Sequence, residues 1–145
     1  MNKALFLLPA MALGLAAGLT SSRRQPPSPR HRILFDVSTG NAETWTRILN
    51  NVENAMRDLG TEETTIEVVA YGPGLGMLLA ASAPDPERME RLSRGSVVFA
   101  ACRNTMESRQ LTPEALLGFA QVVPSGVAEL VRKQEAGWSY LKPGS

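Results

Sequence analysis

Cys102 is the only cysteine among 145 residues, and it stands where a thiol has most chemistry open to it. It closes the run Gly95-Ser-Val-Val-Phe-Ala-Ala-Cys102, after which Arg103, Asn104 and Thr105 are polar. Such a run, with Gly before it and polar residues after, suits a strand buried on both faces. In open α/β sheets, ligands and reacting groups gather beyond the carboxyl ends of strands like this one. A helical turn beginning near Asn104 would favour the thiolate through its positive end, and Arg103 adds positive charge beside it. That chemistry is nucleophilic sulfur. The competing role is a small buried hydrophobe, because free cysteines are among the most buried residues.

Several mechanisms are excluded by what surrounds Cys102 in the chain. His31 is the only histidine and precedes the first predicted strand, at the opposite end of the sheet. A Cys–His couple or a Ser–His–Asp triad is therefore not expected within one chain. One His, one Cys and no Asp/Glu cluster at ligand spacing make no zinc or iron site, and no cofactor is expected. Asp36 falls inside the first strand and reads as a hydrogen-bonded structural carboxylate. Trp138 and Tyr140 read as packing residues.

A second feature is Gly72-Pro-Gly74-Leu-Gly76, directly after a predicted strand. Backbone N–H groups in a Gly-rich turn can hold an anion. The spacing is not the dinucleotide pattern G-x-G-x-x-G, and no Lys-Ser/Thr follows as in a P-loop. A tight turn that brings backbones close is the alternative. Gly72, Gly74, Gly76, Asn104, Thr105 and Ser125 are thus the candidate binding residues, with Cys102 the candidate catalytic one.

The elements that must position these residues are legible from periodicity and caps. Residues 33–37 form the first strand, and Asn41 caps a helix with Glu43 in its first turn. Trp45, Ile48, Leu49, Val52, Ala55, Met56 and Leu59 recur at helical spacing, and Gly60 ends the helix. Asn50, Asn51 and Asn54 lie off that stripe and read as a solvated face. Residues 65–71 form the second strand. Asp85-Pro86 opens the next helix, with Met89 and Leu92 inward and Gly95 at its end. Thr112-Pro113-Glu114 repeats the cap-plus-proline signature and predicts another helix. Residues 121–123 are a short strand, Ser125 starts a helix with Val127, Leu130 and Val131 on one face, and residues 138–141 form an edge strand. The order βαβαβαβαβ implies a three-layer, flavodoxin-like α/β domain: about five mainly parallel strands with helices on both faces.

Composition bounds the partners. Formal net charge is +1. From His31 onward, 11 Lys+Arg face 14 Asp+Glu, a net of −3, because Lys3, Arg23, Arg24 and Arg30 lie upstream. A mildly acidic domain argues against nucleic acid. Lys3 followed by 16 apolar residues, 4–19, reads as a secretory signal peptide over residues 1–22. Cleavage would fall near Ala16-Ala17-Gly18 or after Ser22. The alternative is an uncleaved membrane anchor, although the run is short of the roughly 20 residues that span a bilayer. Arg23 and Arg24 fit export poorly. Residues 23–31 are a Pro/Arg-rich linker and residues 32–145 the domain. The expected location is exported, periplasmic, with membrane contact only through an uncleaved leader. A single cysteine leaves no internal disulfide.

Three stretches together resemble a known family. Phe99-Ala-Ala-Cys-Arg-Asn-Thr-Met106, Val122-Val-Pro-Ser-Gly-Val-Ala-Glu-Leu130 and Gly137-Trp-Ser-Tyr-Leu-Lys-Pro143 resemble the DsrE/DsrF-like (YchN-like) family, and Tyr71-Gly-Pro-Gly-Leu-Gly76 fits as well. The resemblance spans roughly residues 32–143. It implies a flavodoxin-like fold, a homo-oligomer such as a trimer or hexamer, and a protein of intracellular-sulfur-oxidation type. In the family's sulfur-relay members a cysteine after the central strand carries a persulfide between donor and acceptor proteins, and Cys102 matches that position. The exported start and the Cys-x-Asn-Thr pattern set this chain apart from the relay members. The other function class is a non-catalytic oligomeric module that binds a small anionic ligand at the strand ends.

Overall fold

The computed structural model describes residues 29–144. The predicted leader, residues 1–22, and most of the linker lie outside the described residues. Five strands, β1 (His31–Val37), β2 (Thr64–Ala70), β3 (Val97–Cys102), β4 (Gln121–Val123) and β5 (Ser139–Leu141), alternate with α1 (Ala42–Leu59), α2 (Pro86–Ser93), α3 (Arg103–Ser108) and α4 (Gly126–Glu135). All pairings are parallel, in the order β4-β3-β2-β1-β5. This is the expected flavodoxin-like α/β architecture.

The two faces of the sheet are covered unequally, and chain direction explains why. From β1 to β4 each crossover steps the same way across the sheet, and right-handed crossovers then place their helices on one side. There Ile33, Phe35 and Val37, with alternate residues of β2 and β3, pack against Trp45, Ile48, Leu49, Val52, Met56, Met89 and Met106. From β4 the chain returns past β1 to pair as β5, so α4 lies on the other face. Leu34, Val69 and Ala100 meet Leu130 there. A period of two along each strand assigns side chains to these faces. Asp36, Glu67, Tyr71 and Cys102 therefore fall on the α4 face, in phase with Leu34, Val69 and Ala100.

Four sequence expectations are corrected. His31 is the first residue of β1 rather than preceding it, though still at the amino end, far from Cys102. The helix predicted at Thr112-Pro113 is a three-residue 3₁₀ turn, Pro113–Ala115, without a side-chain cap bond. Leu116 instead bridges Leu79, and Leu117 N–H donates to the Leu78 carbonyl at 2.9 Å. Tertiary pairing draws the segment out before a helix can propagate. The helix of that crossover is α3, starting at Arg103. On α4, Leu130 is buried, but Val127 and Val131 are 58% and 48% exposed; Gly126 and Leu130 set the inward face. Leu59 ends the stripe of α1 exposed, past the edge of the packed core.

The strand ends are level. Val37 pairs with Ala70, Ala70 with Ala101, and Cys102 with Val123. The residues that follow β1, β2, β3 and β4 consequently share one rim.

Candidate functional site

Cys102 ends β3 in extended backbone and occupies the N-cap position of α3. Its Sγ accepts a hydrogen bond from the Gly126 N–H at 3.2 Å, at the first turn of α4. The residue is 5% exposed. Burial pushes the thiol up, but the Thr105 hydroxyl and the N–H groups of Gly126, Thr105 and Asn104 outweigh it and hold the thiol below its ordinary value. Each of these donors favours the ionised sulfur.

The glycines of the rim do structural work that can be read atom by atom. Residues 72–78 form a 3₁₀ segment. Gly72 has φ +53°, in the left-handed region, and its N–H donates to Thr105 Oγ1 at 2.9 Å. Thr105 thereby has its oxygen fixed by one neighbour and its proton free for the sulfur. A Cβ on Gly74 would lie 2.0 Å from the Val37 carbonyl oxygen, and one on Gly76 would lie 2.7 Å from the Trp45 ring. Ser125 caps α4 by accepting from Ala128 N–H at 3.3 Å. Asn104 is exposed at the first turn of α3. The rim thus gathers Gly72, Thr105 and Ser125–Gly126 around Cys102, while Gly74 and Gly76 lie inward, against β1 and α1.

Gly126 escaped the sequence reading as a site residue. A Cβ there would come within 2.9 Å of Tyr71 Cβ, so only glycine lets α4 approach closely enough for its N–H to reach Sγ. Nothing local signals this, because Tyr71 is 55 positions away and the contact depends on the crossover.

A second polar group lies further along the same face. Asp36 is 4% exposed. Its Oδ2 accepts from the Tyr140 hydroxyl at 2.6 Å and pairs with Lys142 Nζ at 3.4 Å, while Oδ1 has no partner. The bond to Asp36, with burial added, pushes the Tyr140 phenol up to about 12. Tyr71 is raised too, by burial and then by Asp36. Tyr140 is therefore more than a packing residue. An acid within an apolar strand was the available signal, and Lys142 carried none. Among the described residues no group of His, Cys, Asp or Glu could hold a metal ion, and no helix is long and apolar enough to cross a membrane.

The comparisons agree with this fold. The model of the DsrE/DsrF-like family matches residues 31–143. A solved structure of a protein of unknown function from Methanobacterium thermoautotrophicum is similar, with a TM-score of 0.73 and 34% sequence identity, covering 78% of this chain and 99% of that one. No curated protein matches.

Proposed function

Because the chain belongs to the DsrE/DsrF-like family, we propose that Cys102 carries sulfane sulfur as a persulfide. The observation that supports this most is the thiol held by Gly126 N–H and Thr105, lowered in spite of its burial. The Cys102 thiolate attacks the outer sulfur of a donor persulfide. One S–S bond forms as the donor's S–S bond breaks, and the donor leaves as a thiolate. Delivery is the same exchange in reverse sense, so no oxidant or reductant is consumed. The N–H groups that favour the thiolate equally favour it as leaving group when the sulfur moves on.

Donor and acceptor are exported proteins in this reading, which rests on Lys3 and the apolar residues 4–19. The assembly is a homo-oligomer, trimer or hexamer, supported by Val127 and Val131 exposed one turn apart on α4.

The test is the intact mass of the protein before and after polysulfide, alongside Cys102→Ser. The expected result is a gain of one or more sulfur atoms that is absent in the variant. No gain, or the same gain in the variant, overturns the carrier. One observation favours a second reading: Cys102 is buried as a packed hydrophobe would be. In that case the candidates left on the rim, Gly72, Asn104, Thr105 and Ser125, hold a small anion, without Gly74 and Gly76, which are packed inward, and Cys102→Ala leaves its binding intact.

A further inference from the structure

We propose that Asp36 and Tyr71 are positioning residues for the Cys102 thiol: the carboxylate fixes the phenol, and the phenol ring seats the first turn of α4 where the Gly126 N–H reaches Sγ. That role rests on the carrier reading, because sulfur transfer is what needs an ionisable thiol. Register sets the two side chains next to each other. Ala70 pairs with Ala101, so Tyr71 and Cys102 are the next residues along β2 and β3 and share the α4 face. A ring at position 71 can lean toward β3, over the sulfur, or away from it toward β1. The backbone leaves only that choice. Tyr71 N–H donates to the Val37 carbonyl at 3.1 Å, and the Tyr71 carbonyl accepts from Gly74 N–H at 3.0 Å.

Asp36 settles the direction. The Tyr71 hydroxyl lies with Asp36 and Ser38, on the β1 side; burial raises the phenol first, and Asp36 raises it further by charge and hydrogen bonding. The carboxylate is itself held in place. It is 4% exposed, with Oδ2 taken by the Tyr140 hydroxyl at 2.6 Å and by Lys142 Nζ at 3.4 Å. Its Oδ1 is closed off from solvent and lies against Tyr71, within the chain.

With the ring drawn toward β1, its root becomes the seat of α4. A Cβ on Gly126 would come within 2.9 Å of Tyr71 Cβ and 3.2 Å of Cγ and Cδ1, so no side chain fits between helix and ring. From that seat Gly126 N–H donates to Sγ at 3.2 Å. A ring swung toward β3 would lift the turn and withdraw the donor. The sign of the effect separates positioning from charge. Negative charge disfavours a thiolate, so losing the Asp36 charge alone would lower the thiol pKa. Losing the seat removes a donor and raises it.

Cys102 is the only cysteine, so the pH midpoint of iodoacetamide alkylation in the full chain reads this thiol alone. Asp36→Ala is expected to raise the midpoint by about one unit and Tyr71→Phe by about half a unit. Asp36→Asn keeps an oxygen for Tyr140 and offers an N–H to the Tyr71 oxygen, and it restores the parent value. Met89→Ala removes core on the opposite face and leaves the midpoint in place, which sets apart a mere loss of stability. Should Asp36→Ala fail to fold, Tyr71→Phe decides alone. A midpoint unmoved or lowered in Asp36→Ala or Tyr71→Phe, one not restored by Asp36→Asn, or an equal rise in Met89→Ala overturns the assignment. Mass gain of the parent chain with polysulfide reads the carrier separately. Raised midpoints without that gain leave the positioning standing and sink the carrier, and a gain with unmoved midpoints does the reverse.

Discussion

At the scale of single residues, the proposed sulfur transfer rests on how a buried thiol is kept ionisable. Thr105 accepts from Gly72 and offers its proton to Cys102. Thr105→Val is expected to raise the thiol pKa, seen as an upward move in the midpoint of iodoacetamide alkylation against pH, and Thr105→Ser to restore it. The same change orphans the Gly72 N–H and costs about 1–2 kcal/mol in urea unfolding. An unmoved midpoint would leave Thr105 a purely structural partner. Beneath α4, buried Glu67 pairs with Lys133, which also lies over the Trp138 ring. Burial raises the Glu67 pKa above 4.5 despite Lys133. A carboxyl raised on folding contributes stability that is fully present below 4.5 and lost as pH climbs through the folded value. Glu67→Gln should therefore flatten that part of the pH–stability profile. Lys133→Ala leaves the buried carboxylate without its cation and should cost about 3 kcal/mol at neutral pH.

Elements do what residues cannot do alone. The first turn of α4 reaches Cys102 because Gly126 rests on Tyr71. Gly126→Ala forces a Cβ to within 2.9 Å of Tyr71, so α4 must shift. We expect a loss of about 1–3 kcal/mol together with a raised alkylation midpoint. A loss of stability with the midpoint unchanged would show that the N–H does not govern the thiol. Gly74→Ala, 2.0 Å from the Val37 carbonyl, should destabilise at least as much. The Thr112-Pro113-Glu114 signature shows the opposite case: a good local helix start defeated by pairing of Leu116 with Leu79. Where caps and apolar stripes agreed, as along α1 with Asn41 Oδ1 accepting from Thr44 N–H at 3.0 Å, the element formed as read.

For the whole molecule, chain direction decides which surfaces are left open. One returning crossover gives α4 a face of its own and leaves Val127 and Val131 outward. Under the oligomeric reading, Val127→Glu with Val131→Glu should yield a folded monomer by sedimentation, with stability within about 0.5 kcal/mol of the parent; a wild-type monomer would refute the interface. The amino-acid sequence by itself determined five short strands, the helices between most of them, a parallel three-layer sheet and the place of Cys102 at a strand end. Those features follow from apolar period, glycine, proline and capping, which act over a turn or two of chain. The tertiary structure alone decided that Gly126, 24 residues on, donates to Cys102, that Tyr140 reaches Asp36 across 104 residues, and that winding reverses between β1 and β5. Such contacts depend on strand order and crossover hand, and no local propensity encodes either.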